Sequence, residues 1–394
     1  MQGPADTMSG LQWQGYHRPD GSVGVRNEML VLSIAGLTGP CARRVAAALP
    51  HAKCVTMPYG AGMLGADAVT HMQSLIGFGA NPNVGGVLLI GSDTPKLADV
   101  AQAIAATGKP IAQICLDDCD HDVLTLSERA IRAGAQLQRE ISRLRRRPAL
   151  PSSLCIGLEC GRSDPSSGMV SNPMIGLAAD ALEQAGATVI FGETMEWLGA
   201  EHLLAKRSAT PEVAQALVRA VERREQLAMS HGKDLLGINP GPTNIAAGLS
   251  TIEEKSLGAI AKSGSATIRG LLAVAERPAR PGLYAMDASA YAPESLSGFV
   301  ASGAQILLFS TGVGNSYVSL LAPTIKISAN PRASRMLQQQ LDFDASAVFE
   351  GRLSIQRAAD QLLQLVLDVA SGTMTWGEVL GEGDEVVSRL GEAL

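Results

Sequence analysis

The residues best able to do chemistry sit where apolar runs end. After Leu154-Cys155-Ile156-Gly157-Leu158 comes Glu159-Cys160-Gly161-Arg162-Ser163-Asp164-Pro165-Ser166-Ser167-Gly168, running on to Asn172-Pro173 before a predicted helix. Small hydroxyl side chains and free backbone N–H groups at a helix start make an anion cradle. Cys160, among polar groups, reads equally as a metal ligand or nucleophile and as a buried, inert thiol. Phe191-Gly192-Glu193-Thr194-Met195-Glu196, with Glu201-His202 soon after, is a second such exit. Two carboxylates three apart and an imidazole suit a divalent cation or a proton relay; capping acids on a surface helix would look the same. Asn239-Pro240-Gly241-Pro242-Thr243-Asn244 leads into Ser250-Thr251-Ile252-Glu253-Glu254-Lys255. Thr251 and Glu254 have capping-box spacing, and Lys255 is either a working ammonium or a surface ion pair. Asp287-Ala288-Ser289, Ser310-Thr311-Gly312 and Lys326-Ile327-Ser328-Ala329-Asn330 complete the set. Lys326 is alone in an apolar strand, and an unpaired buried ammonium is costly, so it is expected to meet an anion.

Two further clusters carry less. Gly60-Ala61-Gly62-Met63-Leu64-Gly65 has G-x-G-x-x-G spacing, but it follows the second strand, and Asp93 lies too far on for the usual ribose-binding acid. Cys115-Leu116-Asp117-Asp118-Cys119-Asp120-His121-Asp122 looks like a metal cluster but lacks a second cysteine pair at zinc-ribbon spacing, and acids before a helix favour its dipole.

Apolar strands alternating with helices must position these loops. Strands are expected at 29–34, 53–57, 84–90 and 110–116, with helices at 43–49, 66–76 and 123–144. The pattern restarts with strands at 154–158, 188–191, 282–286, 304–309 and 324–327, and helices at 175–185, 211–230, 360–370 and 378–389. The expected fold class is α/β: two Rossmann-like parallel-sheet domains, with the active site between the carboxyl ends of their strands. The boundaries read as a flexible tail over 1–14, an N-terminal α/β domain over 15–150, and a C-terminal α/β domain over 151–394 with most site motifs. Arg143-Leu144-Arg145-Arg146-Arg147 reads as a solvated helix end and linker.

Composition narrows the function. The chain has 394 residues, 42 of them glycine and only 14 aromatic, with net charge −6. That balance offers no attraction for nucleic acid and no stacking platform. Without an apolar run long enough to span a bilayer or a signal-peptide core, no membrane is expected. Six cysteines in a chain of this size suit the cytoplasm.

The blocks named above, with Gly15-Tyr16-His17-Arg18-Pro19-Asp20-Gly21 and Val23-Gly24-Val25-Arg26-Asn27, make the sequence resemble the altronate/galactarate dehydratase family. Leu75-Ile76-Gly77-Phe78-Gly79-Ala80-Asn81-Pro82-Asn83 and the 192–202 segment point to its sulfolactate sulfo-lyase branch. The chain departs from the sugar-acid members, which carry family cysteines where it has Ala61 and Ser92; only Cys160 remains. Tyr59 stands where the sulfo-lyase branch keeps a histidine.

The resemblance implies a lyase performing β-elimination on a small anionic 2-hydroxy acid to give a 2-oxo acid. Release of sulfite from sulfolactate is favoured; sugar-acid dehydration is the alternative, and an NAD(P)-binding oxidoreductase or a non-catalytic paralogue ranks lower. It implies Lys255 as the base or as a cation facing the enediolate, with Glu196 and His202 as an acid/base or ligand pair. Cys160 and Glu193 are expected to hold a divalent metal, Fe2+. Ser163, Asp164, Ser167 and Asn172 would hold the substrate carboxylate, Arg26, Lys326 and Asn330 would face its second anionic group, and Asn27, Asn244, Ser289 and Thr311 would also bind substrate. A small β-clip (SAF-type) subunit is expected as a separate partner chain, within a homo-oligomer.

Overall fold

The computed structural model describes residues 12–60, 62–235 and 239–391. Two parallel sheets dominate. The smaller has the order Ala52–Thr56, Glu28–Ser33, Val84–Gly91, Ile111–Cys115. The larger has seven strands in the order Ile268–Leu272, Gly282–Met286, Thr188–Phe191, Cys155–Cys160, Ile306–Ser310, Thr324–Ser328, Phe343–Asp344, all paired in parallel. Helices cover both faces of each. The inner strands are therefore buried almost throughout and read as continuous apolar runs, while the edge strands are partly exposed. Cys155–Cys160 is the first strand of the large sheet, and the chain places later strands on either side of it. This is the topological switch point, where the carboxyl ends of parallel strands leave a crevice for ligands.

The two sheets share one core. Leu75 and Phe78 of the helix Gly65–Ala80 pack with Phe299, Val300 and Ala301 of the helix Ala292–Ala301. The approach needs Gly77, where a Cβ would come within 2.2 Å of the Ala301 carbonyl oxygen. Asn81 Nδ2 then donates to the carbonyls of Val300 and Ala304, and Asn83 Nδ2 to those of Gln305 and Leu321.

Three expectations are corrected. Of the proposed tail over 1–14, residues 1–11 lie outside the described residues, but Trp13 already begins the strand Trp13–His17. It is fully buried and donates Nε1 to the Leu150 carbonyl. The basic run is a solvated helix end over 143–145, as expected, but its last part is tied into the fold rather than a linker: Arg147–Ala149 pairs antiparallel with that strand, and Arg146 donates to the carbonyls of Gln14, Val25 and Ala370. The helix expected over 378–389 is a single turn, Trp376–Val379. Gly381 and Gly383 follow at φ +68° and +128°, conformations that end a helix. Beyond them the chain runs over the surface, where Glu385 accepts from Ser319 and backbone N–H groups of 320 and 321.

Candidate active site

Cys160 ends the central strand beside Ser310 of its neighbour. Glu193 follows the adjacent strand Thr188–Phe191 in a left-handed conformation, φ 69°. The next turn, Thr194–Trp197, brings Glu196 round to the same point, its N–H donating to the Glu193 carbonyl. Lys255 arrives on the helix Ile252–Ile260, started as expected by Thr251 Oγ1 accepting from Glu254 N. Glu254 itself is held by Ser250, so it serves the helix start. Gly258 lets this helix close onto the Ser167–Ser171 turn: a Cβ there would lie 2.9 Å from Gly168 Cα. Asn172 Nδ2 pins the same contact by donating to the Gly258 carbonyl.

The result is a buried polar cluster. Lys255 Nζ donates to Glu196 Oε1 and, at 2.7 Å, to Asn239 Oδ1. Behind it Lys262 Nζ donates to Glu193 Oε2 at 2.6 Å and to Cys160 Sγ at 3.2 Å. Cys160 Sγ also lies 3.2 Å from Glu196 Oε2, and its N–H donates to Glu193 Oε2. Glu159, on the opposite face of the strand, accepts from Ser295 Oγ.

Electrostatics assign the protons. Burial would lower the Lys262 ammonium, but Cys160, Glu193, Glu196 and Glu159 around it hold it well above its ordinary value. Burial would raise Glu196, yet Lys255 and Lys262 keep it below the usual carboxylate value, so it is ionised at neutral pH. Burial likewise opposes the Lys255 charge, and Glu196 more than restores it. Glu193 is raised by burial and by Glu196 and lowered by Lys262. With Lys262 at 2.6 Å, the ion pair is the state we assign. Glu159 is pushed far up by burial and by Glu193 and carries a proton. Among the described residues Glu159 Oε1 and Glu193 Oε1 have no hydrogen-bond donor, and that proton supplies one. Burial, with the carboxylates around it, keeps Cys160 a thiol. Two ammoniums thus face two carboxylates, and the cluster is neutral.

Cys160, Glu193 and Glu196 place one ligand atom each within 4.8 Å of one another, a group that could hold a metal ion. The Lys262 ammonium already bonds to two of these three residues. A cation seated on all three would have to displace it and take the proton from Cys160.

The cluster opens on a cleft of about 330 Å³ lined by Cys160, Arg162, Glu196, Asn239, Asn244 and Lys255, among others. Of the residues expected to act, these include Cys160, Glu196, Lys255 and Asn244; the last donates Nδ2 to the Ser163 carbonyl. Asp164 accepts from Ser166, Ser167 and Asn330 and faces the adjoining cleft. Thr311 accepts from Gly314 N, closing its own turn. Ser289 accepts from Tyr291 N and lines a different cleft, beside Asp287. His202 is exposed on the short helix Glu201–Lys206 and is not among the cleft residues.

The expected second anion site is not assembled. Arg26 is closed by Glu378 at 2.6 Å and by the carbonyls of Val25, Val369 and Thr373. Asn27 bridges Arg18 and the Ile141 carbonyl. Lys326 is buried as expected, but it donates to the Ser316 carbonyl and lies 3.9 Å from Glu382. These residues stiffen the fold because their charges are satisfied inside it.

Sequence reasoning missed Lys262, Glu159 and Arg162 as site residues. Lys262 stands seven positions after Lys255, two helical turns on, so a shared face was a readable signal. Glu159 had one too, as a carboxylate inside an apolar strand.

Residues 151–393 match the family described as D-galactarate/Altronate dehydratase, C-terminal, and residues 15–166 match D-galactarate dehydratase/Altronate hydrolase, second domain. The chain is 38% identical to the (2R)-sulfolactate sulfo-lyase subunit beta of Chromohalobacter salexigens, over 98% of this chain and 99% of that one. It is 32% identical to galactarate dehydratase (L-threo-forming) of Escherichia coli, covering 94% of this chain and 74% of the relative. It is 30% identical to altronate dehydratase of the same organism, over 93% and 75%. These relatives are lyases, and with them this chain belongs to the D-galactarate/altronate dehydratase family.

Proposed function

We propose that the chain eliminates sulfite from a 3-sulfolactate-type 2-hydroxy acid, giving a 2-oxo acid. The observation that carries this reading is the Lys255–Glu196 ion pair at the floor of a cleft sized for a small acid. Glu196 is ionised and takes the C2 proton. As its charge is neutralised, the Lys255 ammonium is released to face the enediolate forming at the same point. Lys255 is the stabilising cation and not the base, because it holds its proton tightly. The C3–S bond then breaks with its electron pair going to sulfur. The enol loses its hydroxyl proton, gains one at C3 and becomes the 2-oxo acid. Sulfite departs as a stable anion without needing a proton. Dehydration of a sugar acid, the activity in the names of the two Escherichia coli relatives, would additionally need an acid for the departing hydroxide.

A divalent ion, Fe2+ by the family resemblance, would if bound be held by Cys160, Glu193 and Glu196 and would supply Lewis-acid stabilisation of the enediolate. The Lys262 ammonium stands in its way, and none of the steps above requires it. The Chromohalobacter relative is named as a subunit. By analogy the active form pairs this chain with a small β-clip (SAF-type) chain, within a homo-oligomer. All six cysteines are free thiols, and no described helix is long and apolar enough to cross a membrane; a cytoplasmic location suits both.

The test is to co-express the chain with the small partner and to supply 3-sulfolactate, galactarate and altronate separately. Sulfite with an equal amount of pyruvate from the first supports the reading. Turnover of only the sugar acids assigns the dehydratase reaction instead.

A further inference from the structure

Arg162 occupies a backbone position that favours glycine. Its φ of 53° is left-handed, a region that L side chains with a Cβ avoid and that Asn, Asp and His enter more readily than Arg. The conformation is fixed from outside: the Arg162 carbonyl accepts from the N–H groups of Gly312 and Val313. Among the described residues, no hydrogen bond or ion pair engages its guanidinium, and Arg162 is an exposed residue of the cleft lining. Only Arg162 and Lys255 are cationic along that lining, and Lys255 is paired with Glu196. The neighbouring ammonium, Lys262, is matched by Glu193. Among the described residues of the lining, Arg162 is therefore the single uncompensated positive charge beside a neutral cluster.

We infer that Arg162 is the receptor for the second anionic group of the substrate, so that the site selects small acids carrying two negative charges. The inference rests on the cleft being the substrate site and names the residue that Arg26, Lys326 and Asn330 do not supply. A planar guanidinium offers paired N–H donors to a sulfonate or a carboxylate alike. Its place at the mouth of the cleft, with Lys255 and Glu196 at the floor, holds the substrate by its far end. Strain held in the backbone at this residue is what a binding role would retain and a purely structural role would discard.

Unreactive probes separate the binding step from the reaction. Calorimetric titration of the chain, with its small partner, would use 3-sulfopropionate, succinate and propionate. The first two carry a sulfonate or a second carboxylate, and the third carries one charge only. Wild type is expected to bind one or both dianions at least about tenfold more tightly than propionate, as a charge-assisted contact allows. R162G is expected to lose that preference while binding propionate unchanged, and R162K to fall between. The unliganded R162G protein should melt about 1–2 °C higher, because glycine adopts the left-handed conformation without strain. Whichever dianion R162G loses most identifies the group that the site reads. Undiminished dianion preference in R162G, or no preference in wild type, overturns the inference. Dianion selection through Arg162 without sulfite release from 3-sulfolactate would leave this inference standing and remove only the sulfo-lyase reaction.

Discussion

Lys262 Nζ lies 2.6 Å from Glu193 Oε2, with both side chains only 1% exposed. An ammonium is thus built into the place where the Cys160–Glu193–Glu196 group would receive a metal ion. Taking two charges out of water is costly, and deleting one leaves the other buried and alone. K262M is therefore expected to lose about 3–5 kcal/mol of stability by denaturant titration. In K262A the vacated space should let divalent metal raise the melting temperature. Wild type should melt at the same temperature before and after exhaustive chelation. A metal-dependent wild-type melting temperature would show that Lys262 gives way to an ion.

Glu159 gives the site a pH signature. Its folded pKa is raised well above the unfolded value by burial and by Glu193. The folded chain then binds more protons than the unfolded one, so stability falls as pH rises from the ordinary carboxylate range toward the raised value. E159Q is neutral in both states and should flatten that slope, gaining stability over wild type most clearly at pH 8. Parallel stability–pH curves for the two proteins would mean that Glu159 is not the proton carrier.

The helix that carries Lys255 depends on glycine contact. In G258A the new methyl would meet the backbone at Gly168 Cα, 2.9 Å away, where nothing flexible can yield, so the helix must shift. A destabilisation of about 1–3 kcal/mol should accompany a loss of kcat of roughly 100-fold. Unaltered kcat would show that the exact seat of Lys255 does not matter.

H202A should retain sulfite release within about twofold, because an exposed surface substitution away from the cleft changes little. In contrast, K255M, assayed at a temperature where circular dichroism shows it folded, should lose about 10²–10³ in kcat, the loss seen when one charge-stabilising donor is removed. Reversal of these two effects, measured on the same substrate, would exchange the roles assigned to the two residues.

Much of this is legible in the amino-acid sequence. The parallel sheets followed from uninterrupted apolar runs, and Cys160, Glu193 and Glu196 from their places at strand exits. What the sequence concealed was partnership. Arg26 and Lys326 look like anion receptors until Glu378, Ser316 and Glu382 are seen to satisfy them from distant parts of the chain. Lys262 looks like a surface residue until the turn after the Lys255 helix carries it under the sheet ends. The expected helix over 378–389 had the apolar spacing, but glycines at positive φ overrode it. Arg162 was visible only as a letter in a loop; its significance lies in a backbone angle.

The proton-abstracting role of Glu196 is tested most directly by the E196Q rate of sulfite release from 3-sulfolactate. Glutamine keeps the shape beside Lys255 but cannot take the C2 proton. The expected result is a loss of about 10²–10⁴ in kcat, the span of a general base, in a protein with wild-type secondary structure. E196Q releasing sulfite within a few-fold of wild type would contradict the account and move the base elsewhere in the cleft.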